Sequence, residues 1–196
     1  METLKVPYNI NPSRESGHNK PKKMDIKIFS ARHGEPQFSR VLHKQAQGLG
    51  NWLKSVGFVP EVCFTSEHER SQQTLETMLR VLFPELGEYD VRFSQDYARQ
   101  SLLGGKLHIV QLAGYASPGH KENFQCIQKA LETERPSLYP GRVLSVTHDK
   151  IAQEIVELFL GANHDLLKSG LDCGYGIALD NQRNISVHGY QDVEED

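Results

Sequence analysis

Short apolar runs with strand character alternate along this chain with stretches whose apolar residues recur every three or four positions. That alternation limits the fold more than any other feature. "DIKIFSA" (25–31), "EVCFTS" (61–66), "DVRFS" (90–94) and "GRVLSVTHD" (141–149) read as strands, the last of them through Val146. Between them, Leu42, Ala46, Leu49, Leu53 and Val56 mark one helical face, with Gly57 placed to stop it. Leu75, Met78, Leu79 and Leu82 predict a second helix that ends near Pro84. Phe124, Ile127 and Leu131 predict a third over about 120–134, and Ile151, Ile155, Val156 and Phe159 a fourth, closed by Gly161. In the tail, "YGIALD" and "NISVHGY" flank "NQR" as a hairpin would. Residues 95–120, with Gly104, Gly105, Gly114 and Gly119, read as loops or a lid. No internal repeat is present. So regular an alternation predicts an α/β domain over residues 24–196 around a mostly parallel sheet. Residues 1–23 are polar and aperiodic, and a flexible extension is expected there.

Composition narrows the partners. A length of 196 residues suits one domain with a sizeable core, and a formal charge of -3 offers no basic excess for nucleic acid. A few arginines gathered in one cleft could still hold a phosphate. Cys63, Cys126 and Cys173 are odd in number and widely spaced, which fits small buried residues of a reducing compartment better than a disulfide framework. No apolar run approaches the roughly 20 residues of a membrane span, and no signal-peptide core opens the sequence, so a cytoplasmic protein is expected. Nothing in the sequence speaks to oligomeric state.

Ligands of α/β sheets bind beyond the carboxyl ends of the strands. Three strands here run into reactive residues: the first into Arg32-His33, the second into "EHERSQQT" with Arg70 about one helical turn on, the third into His148-Asp149. Each residue has a plainer reading. A lone histidine is more often a packed or surface residue, Arg70 could pair with Glu67 or Glu69, and Asp149 could be the first-turn acid of the following helix. Taken together they fit phosphoryl transfer. Guanidinium forks bind phosphate oxygens through paired charged hydrogen bonds, a neutral histidine can attack phosphorus, and a second, protonated one can stabilise equatorial charge. Gly34 would let the backbone approach the anion. A nearby carboxylic acid would protonate the leaving group, and no metal or cofactor is needed.

At these residues the chain resembles the histidine phosphatase superfamily, the group that contains phosphoglycerate mutases and acid phosphatases. The similarity rests on "ARHGE" (31–35), "QAQGLGNWLKSVGF" (45–58), "FTSEHERSQQT" (64–74) and "VTHD" (146–149). It implies a three-layer, doubly wound, phosphoglycerate mutase-like sheet flanked by helices. It also implies that His33 is the phosphorylated nucleophile, that Arg32 and Arg70 bind the phosphoryl group and that His148 contacts it from the far side. The substrate would be a phosphorylated small molecule or a phosphoprotein. In the small-enzyme branch a Glu in an "L-x-E-x-x-x-G" stretch donates the proton, but the local counterpart "YARQSLLGG" (97–105) has Gln100 there. The acid-phosphatase branch uses the Asp of a His-Asp pair, which makes Asp149 the first candidate, with Glu35 and Asp96 behind it.

Two further expectations follow from the chain's brevity and its departures. The short segment after Gly34 and the modest length favour hydrolysis over mutase-type phosphotransfer. The glutamine at position 100 motivates an alternative, a degenerate relative that binds phosphorylated ligands without turning them over. A metal-dependent reading of the His-Asp pairs at 148–149 and 164–165 is weaker, because those folds are nearly all helical.

Overall fold

A computed structural model of the chain describes residues 24–34, 40–87, 90–93, 99–112, 142–160 and 171–190. Its centre is a seven-stranded sheet in the order β3-β4-β2-β5-β1-β6-β7. The strands are β1 (Ile26–Arg32), β2 (Val62–Ser66), β3 (Arg99–Leu102), β4 (Leu107–Leu112), β5 (Val143–Thr147), β6 (Tyr175–Asp180) and β7 (Ile185–Gly189). The four central strands, β4, β2, β5 and β1, run parallel, whereas β3, β6 and β7 join antiparallel at the edges.

Helices cover both faces, and strand alternation decides which residues meet them. Phe29 and Ala31 of β1 join Cys63, Leu144 and Val146 under α1 (Arg40–Ser55) and α2 (Glu69–Leu82). Ile28 points the other way, with Val62, Phe64 and Val143, against Ile151, Ile155 and Val156 of α3 (Asp149–Leu160). The result is three layers, as expected. Cys63 is wholly buried, and burial pushes its thiol pKa well up. Among the described residues no helix is long and apolar enough to cross a membrane.

The predicted helix ends hold where glycine or proline sets them. Gly57, at φ 75, donates to Lys54 O at 3.1 Å while Phe58 N donates to Leu53 O at 2.9 Å, the paired bonds of a Schellman stop. Helix α2 gives way at Leu82, two residues before Pro84. The tail forms the expected hairpin, β6 with β7, and Asp180 Oδ1 accepts from the amides of Gln182 and Asn184 at 2.8 Å each to close its turn.

Residues 90–112 depart from expectation. The described residues of "DVRFS", 90–93, form no strand. The side chain of Gln100 instead occupies both backbone groups of Arg92, accepting from its N at 2.9 Å and donating to its O. Two strands arise where loops were expected, β3 and β4, separated by a tight turn that holds Leu103, Gly104 and Gly105 at positive φ. The helix expected over 120–134, the extension at 1–23, Gly161, His164-Asp165 and Cys126 lie outside the described residues.

Candidate active site

Strands β1 and β5 are parallel neighbours with Arg32 level with Thr147, so the next residue on each, His33 and His148, should stand side by side at the carboxyl edge. They do. His33 Nε2 lies 3.1 Å from His148 Nδ1, with the rings 5.0 Å apart and at 79°. On the other side of β5, β2 runs in register with Thr65 level with Val146. Two residues past its end, His68 sets its ring 4.5 Å from that of His148, edge to face at 77°. Arg70 follows in the first turn of α2 and is exposed.

The hydrogen bonds fix the state of His33. Its Nδ1 is 2.8 Å from Gly34 O, and a carbonyl can only accept, so Nδ1 carries the hydrogen and donates it. Burial pulls the pKa of His33 down to about 4; the Gly34 bond opposes this, and the Arg70, Arg32 and His68 charges add to it. Near neutral pH the ring is therefore neutral with its lone pair on Nε2. The hydrogen between the two rings belongs to His148 Nδ1, which donates to that lone pair. His148 Nε2 is then bare, buried and, among the described residues, without a hydrogen-bond partner.

His148 is likewise held down to about 4, first by burial and then by His33, His68, Arg70 and Arg32. The expectation of a protonated His148 therefore does not hold in the free site. It offers a neutral N–H instead.

Arg32 and Asp149 both hold the backbone of Leu171. Arg32 Nη1 donates to Leu171 O at 2.7 Å, and Asp149 Oδ1 accepts from Leu171 N at 2.7 Å and from Gln153 Nε2 at 2.8 Å. Asp149 opens α3, the place weighed for it as a first-turn acid, and its Oδ1 reaches Leu171 and the Gln153 side chain. Thr74 ties the opposite flank. It accepts from Gly34 N at 3.0 Å and donates to Arg70 O at 2.7 Å, joining the end of β1 to the turn that carries Arg70. Gly34 itself makes room for α1. A Cβ there would fall 2.9 Å from Gln45 Oε1 and 3.0 Å from Leu42 Cα, so its missing side chain serves packing.

The structure thus gathers Arg32, His33, Arg70 and His148 from three strand ends and adds His68, which the sequence reading passed over. The signal for His68 was present, since the rule that singled out Arg70 applies equally two residues earlier. Gln100 is not brought to this cluster. It sits on edge strand β3, level with Ile109, three places along the sheet from β5. Glu35 and Asp96 lie outside the described residues. Among the described residues no three His, Cys, Asp or Glu side chains are arranged to share a metal ion.

No family model matches the sequence, nor does any curated protein. Solved structures do match. The alpha-ribazole phosphatase of Shigella flexneri is similar over 83% of this chain and 95% of that one, with a TM-score of 0.50 and 16% identity. The chain shares the fold of that phosphatase. A phosphoglycerate mutase from Plasmodium falciparum matches over 86% of this chain and 91% of its own, at 19% identity and a TM-score of 0.46. A phosphoserine phosphatase from Entamoeba histolytica matches over 84% and 97%, at 11% identity and a TM-score of 0.48. At 16% identity the Shigella flexneri match speaks for a shared fold and leaves the chemistry to the side chains.

Proposed function

We propose that this chain is a metal-independent phosphatase that hydrolyses a phosphate monoester, on a small molecule or a protein, through a phosphohistidine on His33. The observation that carries this reading is the His33 ring, whose Nδ1–H is committed to Gly34 O while Nε2 holds a lone pair in the field of the Arg32 and Arg70 charges. An arriving phosphoryl group would bind Arg70 and the remaining donors of Arg32, and would take the His148 Nδ1–H from His33. Freed of that bond, Nε2 attacks phosphorus in line with the leaving oxygen. Water then attacks the phosphohistidine and releases inorganic phosphate.

The direct test is to trap the intermediate. With a radiolabelled aryl phosphate, EDTA present and a rapid quench, the label is expected on His33 and to be stable to alkali and labile to acid. Absence of label, or label on serine or a carboxylate, would overturn the reading. The binding-only alternative is favoured by one contact, the engagement of Gln100 with the Arg92 backbone. It predicts a ligand-dependent rise in melting temperature with no label.

The lowered histidine pKa sets the acid limit. Neutral His33 is the reactive form, so kcat/KM should hold down to about pH 5 and fall about tenfold per unit below about pH 4. An acid limb centred near 6.5 would contradict the assignment. Stability must be followed in parallel. His33, His148 and His188 all protonate near 4 when folded, against 6.5 as free groups. Between those values the unfolded chain binds more protons, so stability declines as pH falls through that window. Thermal melts at each pH separate the two effects.

A further inference from the structure

Among the described residues the phosphatase reading has yet to assign a donor for the leaving-group proton, and the inference here rests on that reading. Gln100 cannot donate a carboxyl proton and is bound to the Arg92 backbone. Asp149 Oδ1 is occupied by Leu171 N and Gln153 Nε2. His68 is placed differently. It is the N-cap residue of α2, at φ -72 and ψ 129, yet its side chain makes no capping bond. Residues at such a position commonly use a side-chain oxygen to hold the helix amides. Here the imidazole turns to the site, with its ring 4.5 Å from that of His148 and close enough for its charge to act on His33 as well.

Burial orders the cluster from floor to mouth. His33 is 2% exposed, His148 and His68 are half-buried, and Arg70 is exposed. A nucleophile at the floor attacking in line expels the leaving oxygen toward the less buried side, to which His68, His148 and Arg70 belong. We propose that His68 is the general acid of this site, giving its ring proton to the departing oxygen and taking one back from the attacking water. In the first step the His33 Nε2 lone pair forms the P–N bond. The P–O bond breaks with its electron pair on the ester oxygen, and that oxygen receives the His68 proton. In the second, neutral His68 accepts a proton from water as its oxygen bonds to phosphorus, and the P–N electron pair returns to His33. Imidazole suits both directions because the same ring nitrogen can give a proton in one step and accept one in the next.

Leaving-group dependence tests this. Phenyl phosphate needs a proton on its departing oxygen, whereas dinitrophenyl phosphate leaves as a stable phenolate. In H68Q, kcat/KM for phenyl phosphate is expected to fall about 100-fold, the loss typical of a missing general acid. The loss on the dinitrophenyl ester should be at least about tenfold smaller, and that ester also reports whether the variant is folded. Equal losses on both esters, or none on phenyl phosphate, would overturn the role. So would a selective loss in D149N, E35Q or D96N in place of H68Q. If wild-type protein turns over neither ester, the phosphatase reading itself fails and the role of His68 falls with it.

Discussion

His33→Ala is expected to lower kcat/KM for an aryl phosphate by about 10⁴-fold or more while leaving the fold intact. The substitution removes the Nε2 lone pair that faces His148 and with it any covalent route. Its structural cost is modest. The side chain lies at the floor of the site, and its one backbone partner, Gly34 O, belongs to the next residue. Losing the nucleophile also differs in kind from losing a phosphate contact. Arg70→Ala should cost about 10–100-fold, the worth of about one charged hydrogen bond, and should act mainly on substrate capture. Steady-state kinetics beside a thermal melt check both. A His33→Ala protein that retains a tenth of wild-type turnover would show that His33 is not the nucleophile.

The second large effect lies beneath the site. Gly176 of β6 stands level with Ala31 of β1, and an added Cβ would collide with the Phe29 ring, at Cζ and at 2.6 Å from Cε1 and 2.9 Å from Cε2. The ring has no simple escape. Phe29 is 0% exposed and packs 5.4 Å from Trp52, which in turn stacks 3.8 Å from the His188 ring. Gly176→Ala should therefore destabilise by about 2–3 kcal/mol, the cost of overpacking, and lower Tm by about 5–10 °C. Because Phe29 shares β1 with Arg32, the strain reaches the strand that ends in the histidine. Denaturant melts that place the variant within about 0.5 kcal/mol of wild type would show that the ring gives way freely.

Legibility in the sequence followed the strength of periodic burial. β1, β2, β5 and the first two helices could be read because their apolar residues recur without interruption and because Gly57 and Pro84 punctuate them. β3 could not. It is an edge strand, "RQSL", whose side chains alternate between exposed and half-buried, so it carries no apolar signature. "DVRFS" misled for the opposite reason. Val91 is buried like a strand residue, but the Arg92 backbone bonds are taken by the Gln100 side chain, so no ladder forms. The convergence of Arg32, His33, Arg70 and His148 was readable from strand ends alone. The hold of Arg32 and Asp149 on the Leu171 backbone was not, because no local pattern announces partners 139 and 22 positions away.

The unbroken register of β1, β5 and β2 makes the reactive centre a matter of counting. Each of the three strands delivers its imidazole by a fixed number of residues past a fixed partner. Deleting or inserting one residue in any of them would shift its imidazole by about 3.3 Å and turn it to the opposite face of the sheet. Drift in chain length is thus barred from the strands that carry the chemistry and confined to the connections between them.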